Sequence, residues 1–185
     1  DMWWETEPAP GTRYPMDPVQ DFLDRGATLI ISPSASPFFS GKLQTRFSLI
    51  SKIGKSSGVP VVYANTVGGN DSLVFDGYSM ATDDAGNLVR LAGGFEEELM
   101  IVESTELRGA RLSPQKLPED PLGDIYRALK LGLKDYLAKT GFSRVHIGLS
   151  GGIDSALVAA IAADALGPEN VEVFLLPSQY SSAGS

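Results

Sequence analysis

Residues 144–166, "RVHIGLSGGIDSALVAAIAADAL", decide how this chain is read. The first seven are apolar at alternate positions and predict a strand. Asp154 to Leu166 predicts a helix rich in alanine. Between them stand Ser150, Gly151 and Gly152. Glycine admits positive φ and lacks the Cβ that would block close approach. The free N–H groups of the helix's first turn then face the gap, where anionic oxygens are stabilised. Ser150 and Ser155 can donate hydroxyls to the same oxygens, whereas the Asp154 carboxylate would repel them unless a divalent cation lies between. The local reading is a phosphate nest with Mg²⁺ at Asp154. A tight strand–helix turn capped by Ser150 or Asp154 is the other reading, and turn chemistry leaves it open. Neither G-x-x-x-x-G-K-[ST] nor G-x-G-x-x-G is present.

Working outward, "VEVFLLP" at 171–177 predicts a second strand, completing one βαβ unit. Ahead of it, Asp120–Pro121 suits a helix N-cap followed by proline at the first helical position. Ile125, Leu129, Leu133 and Leu137 recur every four residues as an apolar helix face, and Gly141 ends it. Residues 110–124, "ARLSPQKLPEDPLGD", carry three prolines and little periodicity, and are read as a crossing between domains. Upstream, 27–33 and 59–65 predict buried strands. A helix over 43–53 places Leu43, Phe47, Ile50 and Ile53 on one side. Strand-like runs flank the turn 83–87, and 97–105 predicts a further strand. Strand, helix, strand and hairpin predict a layered α/β unit.

Composition bounds the functions. Hydrophobic residues make up 43% and charged residues 21%, the balance of a folded chain rather than a disordered one. With 15 Lys+Arg against 23 Asp+Glu, the net charge of −8 argues against a nucleic-acid surface. There is no cysteine, so this chain supplies no disulfide, thiolate metal ligand or thiol nucleophile. No apolar run reaches the roughly 20 residues of a membrane span, and the first residues do not read as a signal peptide. A cytoplasmic location is expected, with no nucleic-acid or membrane partner.

"SGGIDS" at 150–155, with Leu149 before and "ALVAAIAADALG" after, resembles the loop of ATP-pyrophosphatases, and "LLPSQYSS" at 175–182 resembles the NAD synthetases among them. That resemblance implies adenylation of a carboxylate or carbonyl oxygen by ATP with release of pyrophosphate. It implies that Gly148, Leu149, Ser150, Gly151, Gly152, Ile153, Asp154 and Ser155 cradle the ATP phosphates and that Asp154 holds Mg²⁺. The absence of a P-loop lysine is then expected.

A second resemblance lies upstream. "SASPFFSGK" at 34–42 and "YANTVGGNDSLVFDG" at 63–77 are similar to the nitrilase-like glutaminase domain of glutamine-dependent NAD⁺ synthetases. In that family the nucleophile lies in a Cys-Glu-Asp-x-Trp segment, whose tail Asp1–Met2–Trp3 resembles. The Glu–Lys–Cys triad would then lie upstream of Asp1, and the chain would be an internal piece of a longer polypeptide. The resemblance implies glutamine binding by Ser36 and Lys42. Without it, Ser36 reads as a turn cap and Lys42 as a solvated charge. Arg46, one turn beyond, reads equally as the partner of an internal carboxylate or as a surface residue. Phe75 is expected to be buried, Asp76–Gly77 to start a reversal, and Asn70 and Asp71 to shape a loop. His146 reads as a polar or interface position rather than a base, and Trp3 and Trp4 as core or site-mouth residues.

The implied fold class is α/β: the C-terminal part of a nitrilase-like α-β-β-α sandwich (1–109), a linker (110–122), and the start of a Rossmann-like ATP-pyrophosphatase domain (123–185). The implied activity is ATP-dependent amidation of deamido-NAD⁺ with ammonia from glutamine. Its ligands would be ATP, Mg²⁺, glutamine and deamido-NAD⁺, with the rest of the polypeptide and a homo-oligomer as partners. The rival readings are another amidotransferase or thiolation enzyme using the same ATP loop, and a non-catalytic binding or assembly protein that keeps the fold.

Overall fold

The computed structural model describes Trp3 and residues 16–108 and 115–175. These form two compact units: one runs up to Val67 and resumes over Asp76–Glu119, the other comprises Gly68–Phe75 and the chain from Asp120 onward.

In the first unit, helix α1 (Pro18–Asp24) starts at Asp17, whose carboxylate accepts from the Val19 N–H, with Pro18 at the first helical position. Strand β1 (Ile30–Ser34) leads through a loop to helix α2 (Lys42–Ser57) and strand β2 (Val61–Asn65). β1 and β2 are parallel, from Ile30 opposite Val61 to Ser34 opposite Asn65. The chain then forms the hairpin β3 (Val67–Asn70) and β4 (Leu73–Asp76), whose Gly68–Phe75 belongs to the second unit, and resumes in the first with β5 (Met80–Thr82) and β6 (Leu88–Leu91). The four-stranded sheet has the order β1-β2-β5-β6, its last two pairings antiparallel. Leu43, Leu49, Ile50 and Ile53 of α2 are buried, as are Val61, Tyr63, Met80 and Leu88 of the sheet. Each fully buried aliphatic side chain contributes about 1.5–3 kcal/mol. The expected face of α2 is therefore right except that Leu49 is buried and Phe47 only half so. The turn 83–87 needs its glycine: Gly86 has φ +79°, and a Cβ there would lie 2.3 Å from the Ser51 carbonyl oxygen.

One expected strand is absent. Residues 97–103 join no sheet, and the chain instead forms the short helix α3 (Ser104–Leu107). Glu103 and Glu106 make a reciprocal capping box, which favours a helix start over strand continuation. Arg90 pairs with Glu106 and holds its carboxyl below the usual range. Leu99 and Ile101, the apolar residues that suggested a strand, are 89% and 73% exposed. Phe75 is half-buried rather than buried.

In the second unit, helix α4 (Pro121–Thr140) begins as expected, with the Asp120 carboxylate accepting from the Gly123 N–H, and ends at Gly141 in the left-handed region. Strand β7 (Val145–Leu149), helix α5 (Ile153–Leu166), a 3₁₀ turn (Pro168–Asn170) and strand β8 (Val171–Leu175) follow. β7 and β8 are parallel, so β7, α5 and β8 form the expected βαβ crossover. The Tyr126 hydroxyl donates to Asp164 at 2.6 Å, tying α4 to α5. The apolar face expected on α4 holds only in part: Leu137 is buried and Leu133 half-buried, whereas Ile125 and Leu129 are exposed. A four-residue repeat overshoots the 3.6-residue turn, so successive members rotate about 40° around the axis. The β3–β4 hairpin is held to α4 at Gly69, whose N–H donates to Asp135 at 2.8 Å and whose carbonyl accepts from Lys139. Asn70 and Asp71 lie at that hairpin's tip, with Asp71 at φ +51°. No helix among the described residues is long and apolar enough to cross a membrane.

Candidate functional site

The first candidate site is built on α2 and the loop before it. Ser36, just beyond β1, is 7% exposed, and its Oγ has no hydrogen-bond partner among the described residues. A buried hydroxyl left unpaired is uncommon, because a missing bond leaves the desolvation penalty uncompensated. Ser36 is thus not the side-chain cap of a turn. Lys42, the first residue of α2, is 5% exposed, which excludes a solvated charge. Its Nζ lies 4.1 Å from the centroid of the Trp3 ring and 4.7 Å from that of Phe39. Trp3 therefore borders Lys42; Asp1, Met2 and Trp4 fall outside the described residues.

Arg46, left open by the sequence, is an internal ion-pair partner. Its side chain is 0% and that of Asp76 1% exposed, with Nη2 donating to Oδ1 at 2.8 Å and Nη1 to Oδ2 at 3.3 Å. The guanidinium also donates to the carbonyls of Gly77 at 3.3 Å and Ser36 at 3.5 Å. Asn65, which the sequence reading did not single out, completes the cluster. Its Oδ1 accepts from the Ser36 N–H at 2.9 Å, and its Nδ2 donates to the carbonyls of Ser36 at 3.3 Å and Gly77 at 3.0 Å. Ser36 and the helix that starts with Lys42 are therefore tied to one frame.

The second candidate site is the β7–α5 turn. Gly148 and Leu149 end β7, Ser150 to Gly152 make the turn with Gly151 at φ +81°, and Ile153, Asp154 and Ser155 form the first turn of α5. The helix N-cap is Gly152, with no side-chain cap bond, so Asp154 is not a cap. Ser150 and Ser155 face each other, Oγ to Oγ at 3.1 Å, and the Gly152 N–H donates to Ser150 Oγ at 3.3 Å. Asp154 is exposed and makes no ion pair among the described residues. Nor, among the described residues, do three or more His, Asp or Glu side chains gather there to hold an ion. A single carboxylate would suit Mg²⁺, which takes one or two protein carboxylates and completes its shell with phosphate oxygens and water. His146 pairs with Glu172 at 3.1 Å and packs against Phe174. "PSQYSS" at 177–182 lies outside the described residues.

Two family models match successive stretches of the chain. The carbon-nitrogen hydrolase model matches residues 12–110. The chain belongs to the carbon-nitrogen hydrolase family. The NAD synthase model matches residues 125–185. The chain is 46% identical over 183 residues to glutamine-dependent NAD(+) synthetase of Synechocystis sp., covering 97% of this chain and 33% of that protein. The homologue of the same name from Rhodobacter capsulatus is 47% identical over 166 residues, covering 86% of this chain and 30% of that protein. The structure of glutamine-dependent NAD+ synthetase from Acinetobacter baumannii in complex with ADP matches with a TM-score of 0.79 and 34% identity, over 89% of this chain and 32% of that one. The chain thus spans about a third of the length of these relatives. A nitrilase-like α/β region followed by the start of a Rossmann-like ATP-pyrophosphatase region is the architecture of this carbon-nitrogen hydrolase member.

Proposed function

We propose that these residues belong to a glutamine-hydrolysing NAD⁺ synthetase, which amidates deamido-NAD⁺ through an ATP-derived adenylate using ammonia released from glutamine. The supporting observation is the succession, in one chain, of a carbon-nitrogen hydrolase segment and an NAD synthase segment, with 46% identity running across both. The two matches leave residues 111–124 between them, which supports the division into 1–109, the linker 110–122, and 123–185. The full-length enzyme would supply the Cys, Glu and Lys of the glutaminase from outside this chain. A homo-oligomer in the cytoplasm, where ATP is supplied, is carried over from the resemblance.

In this reading the Ser36 hydroxyl and the Lys42 ammonium meet the polar ends of glutamine, since a buried hydroxyl and a buried cation suit an amino acid's charged groups. The N–H groups around Gly151 to Ser155 and the hydroxyls of Ser150 and Ser155 hold the ATP phosphates. Mg²⁺ at Asp154, when bound, would offset the charge that builds on the departing pyrophosphate. The residues 148–155 position the α-phosphate for attack by the nicotinate carboxylate, and the resulting adenylate is opened by ammonia.

The test is the full-length enzyme with ATP, Mg²⁺, glutamine and deamido-NAD⁺, following NAD⁺, AMP and pyrophosphate. One of each is expected per turnover. Amidation or thiolation of a different acceptor, with deamido-NAD⁺ untouched, would assign the ATP loop to another enzyme of its class. The 185 residues alone are expected to release no ammonia from glutamine, because they contain no thiol. Release above a heat-killed control would mean that the nucleophile is not the upstream cysteine.

A further inference from the structure

We infer that Asn65 and the buried Arg46–Asp76 pair are positioning residues for the glutamine site: they lock the Ser36 peptide from both sides and so hold its hydroxyl unpaired for the ligand. This rests on the reading of Ser36 and Lys42 as glutamine-binding residues. The β1–β2 ladder ends at Ser34 opposite Asn65, and Thr66 still donates to the Ser34 carbonyl at 3.0 Å. Beyond that point the backbone has no strand partner. The Asn65 side chain takes over, accepting from the Ser36 N–H and donating to the Ser36 carbonyl as a neighbouring peptide would. The Asn65 backbone N–H is in turn fixed to Ser79 Oγ at 3.0 Å.

A buried ion pair is poor evidence for stability, because well-packed apolar residues often replace one without loss. Its planar fork is better suited to setting direction. Arg46 directs two N–H groups to Asp76 and its remaining contacts to the carbonyls of Ser36 and Gly77. Four residues earlier on α2 stands Lys42, so the pair that fixes Arg46 also fixes the turn from which Lys42 projects. With both backbone groups of Ser36 occupied, its hydroxyl is left without a partner among the described residues, as is the Arg46 Nε–H. In this reading Arg46, Asp76 and Asn65 act on the ligand only through Ser36 and Lys42.

The test uses the full-length enzyme and separates the glutamine KM from the kcat with free ammonia. Asn65→Ala is expected to raise the glutamine KM by about 10-fold, while ammonia-dependent kcat stays within twofold. Should Asn65→Ala not fold, Asn65→Ser, whose hydroxyl is too short to bridge both Ser36 groups, carries the same expectation. The double variant Arg46→Met/Asp76→Leu is expected to melt near the wild-type temperature yet keep the raised glutamine KM. A double variant with both normal melting and normal KM would make the pair a fold element only and overturn the inference. So would a normal KM in Asn65→Ala alongside a raised one in Ser36→Ala. If Ser36→Ala itself leaves the glutamine KM unchanged, the binding role of Ser36 fails first, and the positioning role falls with it.

Discussion

Asp154→Asn is expected to lower ATP–pyrophosphate exchange with deamido-NAD⁺ by about 100-fold in the full-length enzyme, with the fold intact. The structure sharpens this expectation by removing its main competitor. The helix α5 is capped at Gly152, Asp154 makes no side-chain cap bond, and its carboxylate is exposed. What Asp154 gives the fold is therefore confined to its place in the first turn, where a negative charge favours the helix dipole by about 0.3–1 kcal/mol. Asparagine keeps the size and loses only that. If Asp154 holds Mg²⁺ as proposed, the same charge removal would weaken that hold and leave the developing pyrophosphate uncompensated. A loss of roughly 3 kcal/mol of transition-state stabilisation corresponds to a rate drop of order 100-fold. Two readouts separate the cases: a thermal melt, expected to move little, and Mn²⁺ binding in the presence of ATP, expected to weaken. A folded variant with near-normal exchange would remove the metal role from Asp154.

What the sequence disclosed follows from which interactions are local. The β7–α5 turn was legible because its determinants sit within a few residues: a short apolar strand, two glycines, and an alanine-rich run. The start of α4 was legible for the same reason, since Asp120 and Pro121 act on the turn that follows them. The missed strand at 97–105 shows the limit. Its apolar residues satisfy a strand pattern, but a strand needs a partner edge, and the local Glu103–Glu106 capping box settles the conformation first. The Ser36 cluster was legible only in part, because its bonds span 10 to 31 residues of chain. A signal was nevertheless present: Leu43, Arg46, Ile50 and Ile53 are spaced three, four and three apart, so a guanidinium stands in the apolar stripe of α2. A charge in such a stripe demands a buried counter-charge, and Asp76, at the end of "LVF", is the carboxylate that enters the same unit. Asn65 carried no such mark, since an asparagine after a strand usually reads as a turn residue.

Lys42→Ala is expected to lower kcat/KM for glutamine by about 100-fold while leaving ammonia-dependent synthesis within twofold of wild type. A hydrogen-bonded ion pair between a buried ammonium and the ligand's carboxylate accounts for this size, since bonds to charged groups are worth about 1.5–3 kcal/mol and unpaired partners cost more. The structure supplies the setting: Lys42 is buried at the head of α2, beside the aromatic rings of Trp3 and Phe39. Those rings attract the ammonium by about 0.5–2 kcal/mol, which helps to hold it in place. A purely structural lysine in the same position would act through its aliphatic stem and these ring contacts. Lys42→Met keeps most of the stem and no charge, so it separates the two roles. For a binding lysine, methionine restores the melting temperature lost in alanine but not the glutamine kinetics. For a structural lysine it restores both. The nitrogen source provides the second separation, because ammonia bypasses the glutaminase altogether. An equal loss with glutamine and with ammonia would place Lys42 in folding or in the synthetase reaction, and Ser36 would then be the one residue of this segment left to hold glutamine.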